Sequence, residues 1–103
     1  EVVSIMISND RVDVNKAENG LTPLYVACQY GHKEVVSIMI SNDRVNVNKA
    51  DNYGITPLYV ACENGHTEVV NAMISNDRVD VNKAGNNGVT PLYVACEKGH
   101  KEV

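Results

Sequence analysis

Residues 56–70 read TPLYVACENGHTEVV. Nearly the same string stands 34 residues earlier, as TPLYVACQYGHKEVV, and 34 residues later, as TPLYVACEKGHKEV. An enzyme places its chemistry once. A chain that sets down one phrase three times builds a surface by stacking copies of one unit. Residues 35–68 match residues 69–102 at 26 of 34 positions. The first copy fits with one gap: AENGL (17–21) faces ADNYGI (50–55) and AGNNGV (84–89). A deletion is tolerated best at a loop tip, so the gap marks the tip of each unit.

The local signals follow in order outward from that phrase. Thr22-Pro23, Thr56-Pro57 and Thr90-Pro91 read as a helix N-cap followed by proline at the first helical position. The short run LYVAC follows, and Gly31, Gly65 and Gly99 end it, as glycine does at a helix C-terminus. Such a helix is shorter than the ~12–15 residues that stand alone in water. A second amphipathic helix comes next, with Val35, Val36, Met39 and Ile40 on one stripe. The segment SNDRVDVN and its counterparts then suggest Asn or Asp in left-handed backbone, leading into a short extended arm of alternating valines such as Val79 and Val81. Asn19-Gly20, Tyr53-Gly54 and Asn87-Gly88 make a hairpin-like turn. Neither helix can bury its apolar stripe within its own unit, which is the physical reason for the repetition.

Composition narrows the functional classes. Hydrophobic residues make up 44% of the 103, with no Trp and no Phe, so the core is aliphatic with Tyr as its only aromatic. The formal charge of −4 argues against a nucleic-acid surface, which needs a basic excess. The arginines (Arg11, Arg44, Arg78) are spread along the repeat and form no cluster. No apolar run approaches the length of a membrane span. Cys28, Cys62 and Cys96 share one repeat position. Helices in successive layers pack about 8–10 Å apart, beyond the roughly 4.4–6.8 Å between Cα atoms that a disulfide needs. Reduced cysteines suit an intracellular, cytoplasmic setting.

The whole chain resembles the ankyrin repeat family. The family phrase is Asp-x-x-Gly-x-Thr-Pro-Leu-His-x-Ala, then Gly-His, then Val-Val and Leu-Leu; here it reads DNYGITPLYVACENGHTEVVNAMI. The resemblance implies an all-α solenoid of helix-turn-helix units with short β-hairpin-like turns projecting to one side. It also implies non-catalytic binding of a partner protein on the concave face formed by turn tips and first helices. Three departures stand out. Tyr25, Tyr59 and Tyr93 replace the usual His, which in the family tethers neighbouring turns. Met-Ile replaces Leu-Leu. Asp-Arg-Val replaces Gly-Ala, lengthening the unit by one residue. In the family the Asn of a Val-Asn pair can be hydroxylated, and Asn15, Asn48 and Asn82 occupy that position.

Chemistry at single sites is weighed against this frame. Cys28-x3-His32 and its two copies have the look of metal ligands, but each unit offers only one Cys and one His, and zinc takes four ligands. A Cys–His nucleophile needs an exposed thiolate, whereas these cysteines should face the core, and one site would not need copying. No phosphate-cradling loop is present. The sequence predicts no catalytic residue, no metal and no cofactor. Tyr25, Tyr59 and Tyr93 read as a structural ladder.

The predicted partner contacts lie where units vary. At the turns they are Asn19, Leu21, Asn52, Tyr53, Ile55, Asn86, Asn87 and Val89. At the first-helix ends they are Tyr30, Glu63, Asn64 and Lys98. Helices are expected near 1–8, 23–30, 34–41, 57–64, 68–75 and 91–98. The units are expected as 17–49 and 50–83, with partial units at 1–16 and 84–103. Neither end carries a polar capping unit, so the sequence is expected to be either a piece of a longer array or a segment whose ends are covered by neighbours. Hence the second expectation, an assembly segment stacking head to tail through Val2, Val3 and Ile5 at one end and Val94 and Cys96 near the other. No nucleic-acid or membrane partner is expected.

Overall fold

A computed structural model describes residues 1–102 of the chain. Six α-helices occur among them: α1 (Val2–Ile7), α2 (Pro23–Gln29), α3 (Lys33–Ile40), α4 (Pro57–Glu63), α5 (Thr67–Ile74) and α6 (Pro91–Glu97). They stand in two rows. First helices α2, α4 and α6 pack side by side, and second helices α1, α3 and α5 form the other row. The three Thr-Pro openings therefore step along one side of a helical solenoid.

Each first helix starts as its residues dictate. Thr22, Thr56 and Thr90 have extended backbone, and each Oγ1 accepts from the N–H three residues on, at 3.1–3.2 Å. Proline follows at N1, where its missing N–H costs nothing. The second helices begin at Lys33 and Thr67, one residue before the expected Glu34 and Glu68. Their N-caps, His32 and His66, give no side-chain hydrogen bond to the helix. The His66 ring instead reaches the preceding layer, as described below.

The core lies between layers. Leu24, Leu58, Met73, Val36, Val45, Val69 and Val94 are the large side chains closed off from solvent. Burying each such side chain contributes about 1.5–3 kcal/mol. In α5 the stripe is Val69, Val70 and Met73, whereas Ile74 is 51% exposed because no further second helix covers it.

Two local expectations are corrected. The Val-x-Val arm is no strand among the described residues. It is a run of turns closed by Val45 N–H to Asn42 C=O and Val79 N–H to Asn76 C=O, both 3.1 Å. Nor do Asn or Asp of that segment adopt left-handed backbone. Asn9, Asn42 and Asn76 instead accept at Oδ1 from the N–H of Arg11, Arg44 and Arg78, 2.9–3.0 Å. A side-chain acceptor two residues back forms the bend without a positive φ.

The deletion in the first turn has a clear geometric answer. Glu18 and Leu21 pair through both backbone bonds at 3.0 Å across a two-residue turn with Asn19 at φ 55° and Gly20 at φ 82°. Two successive positive φ angles are the geometry an Asn-Gly pair favours. The longer turns keep an extra residue: Asp51 N–H reaches Ile55 C=O at 2.9 Å, with Gly54 alone at positive φ.

Candidate partner-binding surface

The turn tip of residues 51–55 is built around one carboxylate. Asp51 Oδ1 accepts from the N–H groups of Tyr53 (2.9 Å) and Ile55 (3.0 Å). Its Oδ2 accepts from the Tyr25 hydroxyl of the preceding layer at 2.8 Å. Burial, and then Asp51, hold the Tyr25 hydroxyl above its ordinary pKa. Tyr at the family's His position thus keeps the tethering role by using its hydroxyl, at this one layer. Gly85, with no side chain to accept a bond, stands where Asp51 stands one unit earlier, so among the described residues Tyr59 lacks the partner that Tyr25 has.

On that pinned turn Tyr53 is 75% exposed. Tyr30, at the C-cap of α2, is 65% exposed, with its ring 6.3 Å from that of His32. Asn19, Asn87 and Lys98 are exposed, and Glu63 is half-buried. Other predicted contacts are already engaged within the stack. Leu21, Ile55 and Val89 are half-buried and pack against the core, so they offer an edge only. The Asn52 side chain lies over Gly20, leaving a Cβ there only 2.7 Å of clearance, and Asn86 lies over Gly54 in the same way. Asn64 Nδ2 donates to Gln29 C=O at 3.1 Å, and Asn87 Oδ1 accepts from Val89 N–H at 2.9 Å.

That arginine and asparagine bridge the layers was not picked out from the sequence. The Arg78 guanidinium donates to the carbonyls of Ile40 (2.6 Å), Val45 (2.9 Å) and Asn42 (3.2 Å). Arg44 does the same to Ile7 (2.6 Å), Val12 (3.0 Å) and Asn9 (3.1 Å). Each arginine puts a cation on the unpaired carbonyl end of the preceding second helix, where the helix dipole favours it. The extra residue that lengthens the unit belongs to this Asn-Asp-Arg segment. Asn15 and Asn48 each spend both amide atoms on the next layer: Nδ2 donates to Arg44 or Arg78 C=O, and Oδ1 accepts from Asn46 or Asp80 N–H, all at 2.8 Å. The Nε2 atoms of His66 and His100 lie 2.9 Å from the carbonyls of Gln29 and Glu63. The His66 ring also fills the space beside Gly31. The recurrence of these residues at identical repeat positions was the available signal.

Cys28 and Cys62 are buried, and burial pushes their thiols up from 9.0 to about 12 and about 11. Such thiols stay protonated and are poor nucleophiles. Cys96 is exposed. Among the described residues no three His, Cys, Asp or Glu side chains gather to hold a metal, and no helix is long and apolar enough to cross a membrane.

The family model described as ankyrin repeats (3 copies) matches residues 1–85 and 44–103, which together span the chain. No curated protein matches it.

Proposed function

Because the chain belongs to the ankyrin repeat family, whose members generally mediate protein–protein interaction and are typically non-enzymatic, we propose that it is a non-catalytic module that binds a partner protein through its turn tips and first-helix ends. The units of the reading are 17–49 and 50–83, flanked by partial units 1–16 and 84–103. The observation that carries it is Tyr53, a large aromatic 75% exposed on a turn fixed by two bonds to Asp51. An aromatic on a fixed stretch of backbone loses little main-chain freedom on association, and such residues dominate binding energy at interfaces. Tyr30 and the exposed Asn87 and Lys98 extend the surface. The half-buried Ile55, Leu21, Val89 and Glu63, with Asn19, Asn52, Asn64 and Asn86, supply its shape.

Tyr53→Ala is expected to weaken the partner by at least ~1 kcal/mol while leaving the thermal midpoint nearly unchanged. A pull-down with both forms, followed by titration of the captured protein, measures the first effect, and thermal unfolding the second. A large drop in stability would reassign Tyr53 to the scaffold. Unchanged affinity would remove it from the contact surface.

A further inference from the structure

We propose that Gly85 is a positioning residue for the partner surface, a role that rests on the reading of Tyr53 as a partner contact. The absence of a side chain at Gly85 lets turn 84–89 close on turn 51–55. There the Asn86 N–H grips the Tyr53 carbonyl and sets where the Tyr53 ring is presented.

Gly85 is unlike the other glycines of these turns. Gly54 and Gly88 take φ angles of 78° and 80°, a region that disfavours a side chain, whereas Gly85 does not. Its backbone admits other residues, and Glu18 and Asp51 stand at the same repeat position. The neighbours are what exclude a side chain from this buried place. A Cβ on Gly85 would lie 2.8 Å from Ile55 Cδ1 and 3.0 Å from Asn87 Oδ1, with the Tyr53 carbonyl oxygen 3.7 Å away. Carbon atoms pack at about 3.5–4.0 Å, so the first of these is a clash. Ile55 does not swing aside freely, because it is β-branched and packs against the core. The Asn87 oxygen is the lesser obstacle, being the far end of a polar side chain, although Val89 N–H holds it at 2.9 Å.

The space so kept is used by the main chain. Asn86 N–H donates to Tyr53 C=O at 3.0 Å, a backbone bond running from one turn to the next. The preceding joint is made differently. Among the described residues Asn52 N–H makes no bond, and the first two turns are tied by side chains, Tyr25 hydroxyl to Asp51 at 2.8 Å. The separations agree. The three atoms nearest a Cβ on Gly20 all belong to the Asn52 side chain, whereas the Asn86 main-chain nitrogen lies 2.8 Å from a Cβ on Gly54. Turn 84–89 therefore brings its backbone closer to turn 51–55 than turn 51–55 does to the turn before it. Gly85 gives up the carboxylate that ties Tyr25 at the preceding joint and gains a main-chain hold on Tyr53. Both peptide groups of Tyr53 are then fixed, its N–H by Asp51 at 2.9 Å and its C=O by Asn86. Backbone fixed on both sides presents the aromatic in one place and lowers the cost of ordering it on association.

Amide hydrogen exchange, followed residue by residue by NMR, tests this without the partner. In the unmodified chain the Asn86 amide is expected to exchange slowly and the Asn52 amide fast; similar rates overturn the proposal. Gly85→Ala is expected to speed exchange at Asn86 about tenfold or more, as a bonded amide set free does. Ile55→Val removes Cδ1, the atom a new Cβ would strike. The double variant Gly85→Ala, Ile55→Val is therefore expected to restore slow exchange at Asn86, whereas general destabilisation is not rescued by a second truncation. Unchanged exchange in Gly85→Ala, or no recovery in the double variant, overturns the proposal. If circular dichroism shows Gly85→Ala unfolded, the double variant decides: folded with a slow Asn86 amide supports the proposal, and unfolded overturns it. The effect on binding is read with the protein captured in the pull-down of the unmodified chain. Gly85→Ala is expected to weaken it, and to weaken it no further in a Tyr53→Ala background. Equal losses in both backgrounds mean that Gly85 does not act through Tyr53, and overturn its role. Unchanged binding by Tyr53→Ala alone removes the partner surface, and with it the role of Gly85 in binding, while the exchange pattern still decides how the two turns are joined.

Discussion

Three cysteines at one repeat position have two kinds of surroundings, and only the layers around them differ. Cys28 and Cys62 lie under a following helix, whereas Cys96 has none over it. One thiol per folded chain is therefore expected to react promptly with a disulfide reagent, and two only after denaturant is added. Cys96→Ser should remove the fast phase. The buried pair also sets an alkaline limit. Their folded-state pKa values are raised, so the folded chain holds protons that the unfolded chain releases. The associated stability is complete below pH 9, and declines as pH climbs through about 11 and about 12. Chemical denaturation at a series of alkaline pH values checks this, and Cys28→Ala should flatten the decline.

The helix is the scale at which the arginines act. Arg78 finishes the carbonyl end of α3, whereas Arg11, with the same sequence neighbours, finishes no helix among the described residues. Arg78→Ala is expected to cost about 1–2 kcal/mol, in the range of charge-assisted hydrogen bonds at an exposed site. Arg11→Ala should cost almost nothing. Urea unfolding of both variants decides it, and equal losses would mean the bonds to Ile40, Asn42 and Val45 carry no stability. Helix starts and ends were legible in the sequence because Thr-Pro and Gly act on their nearest neighbours. Alternating valines misled the reading of the arm: a turn also points Val45 and Val47 inward, and the Asn side chains that shape it resemble those of a left-handed bend. The bridging bonds were not legible. They join residues far apart in the chain, and recurrence of Arg, Asn and His showed that these positions were fixed without showing what they reached. Likewise, the sequence marked Asn52, Asn64 and Asn86 as surface positions, and they are exposed, without showing that each also leans on the layer before it.

Across the whole molecule, protection should follow position in the stack. The α4 helix is flanked by α2 and α6 and backed by α5, and its residues Pro57–Cys62 are all buried. The outer helices α1 and α6 each have one open side. Amide hydrogen exchange on the dilute chain is expected to be slowest in α4 and fastest in α1 and α6, because a solenoid loses its terminal layers before its centre. Uniform rates along the chain would mean that the layers open together. The Tyr ladder obeys the same gradient, with Tyr25 and Tyr59 buried and Tyr93 in solvent.

The arginine clamp and the asparagine pair give the solenoid a sense of direction. Asparagine reaches forward into the following layer, and arginine reaches back to mend the helix end of the layer before it. Each joint is thus stitched by the same two bonds running in opposite senses, so no joint could be turned end for end without losing both.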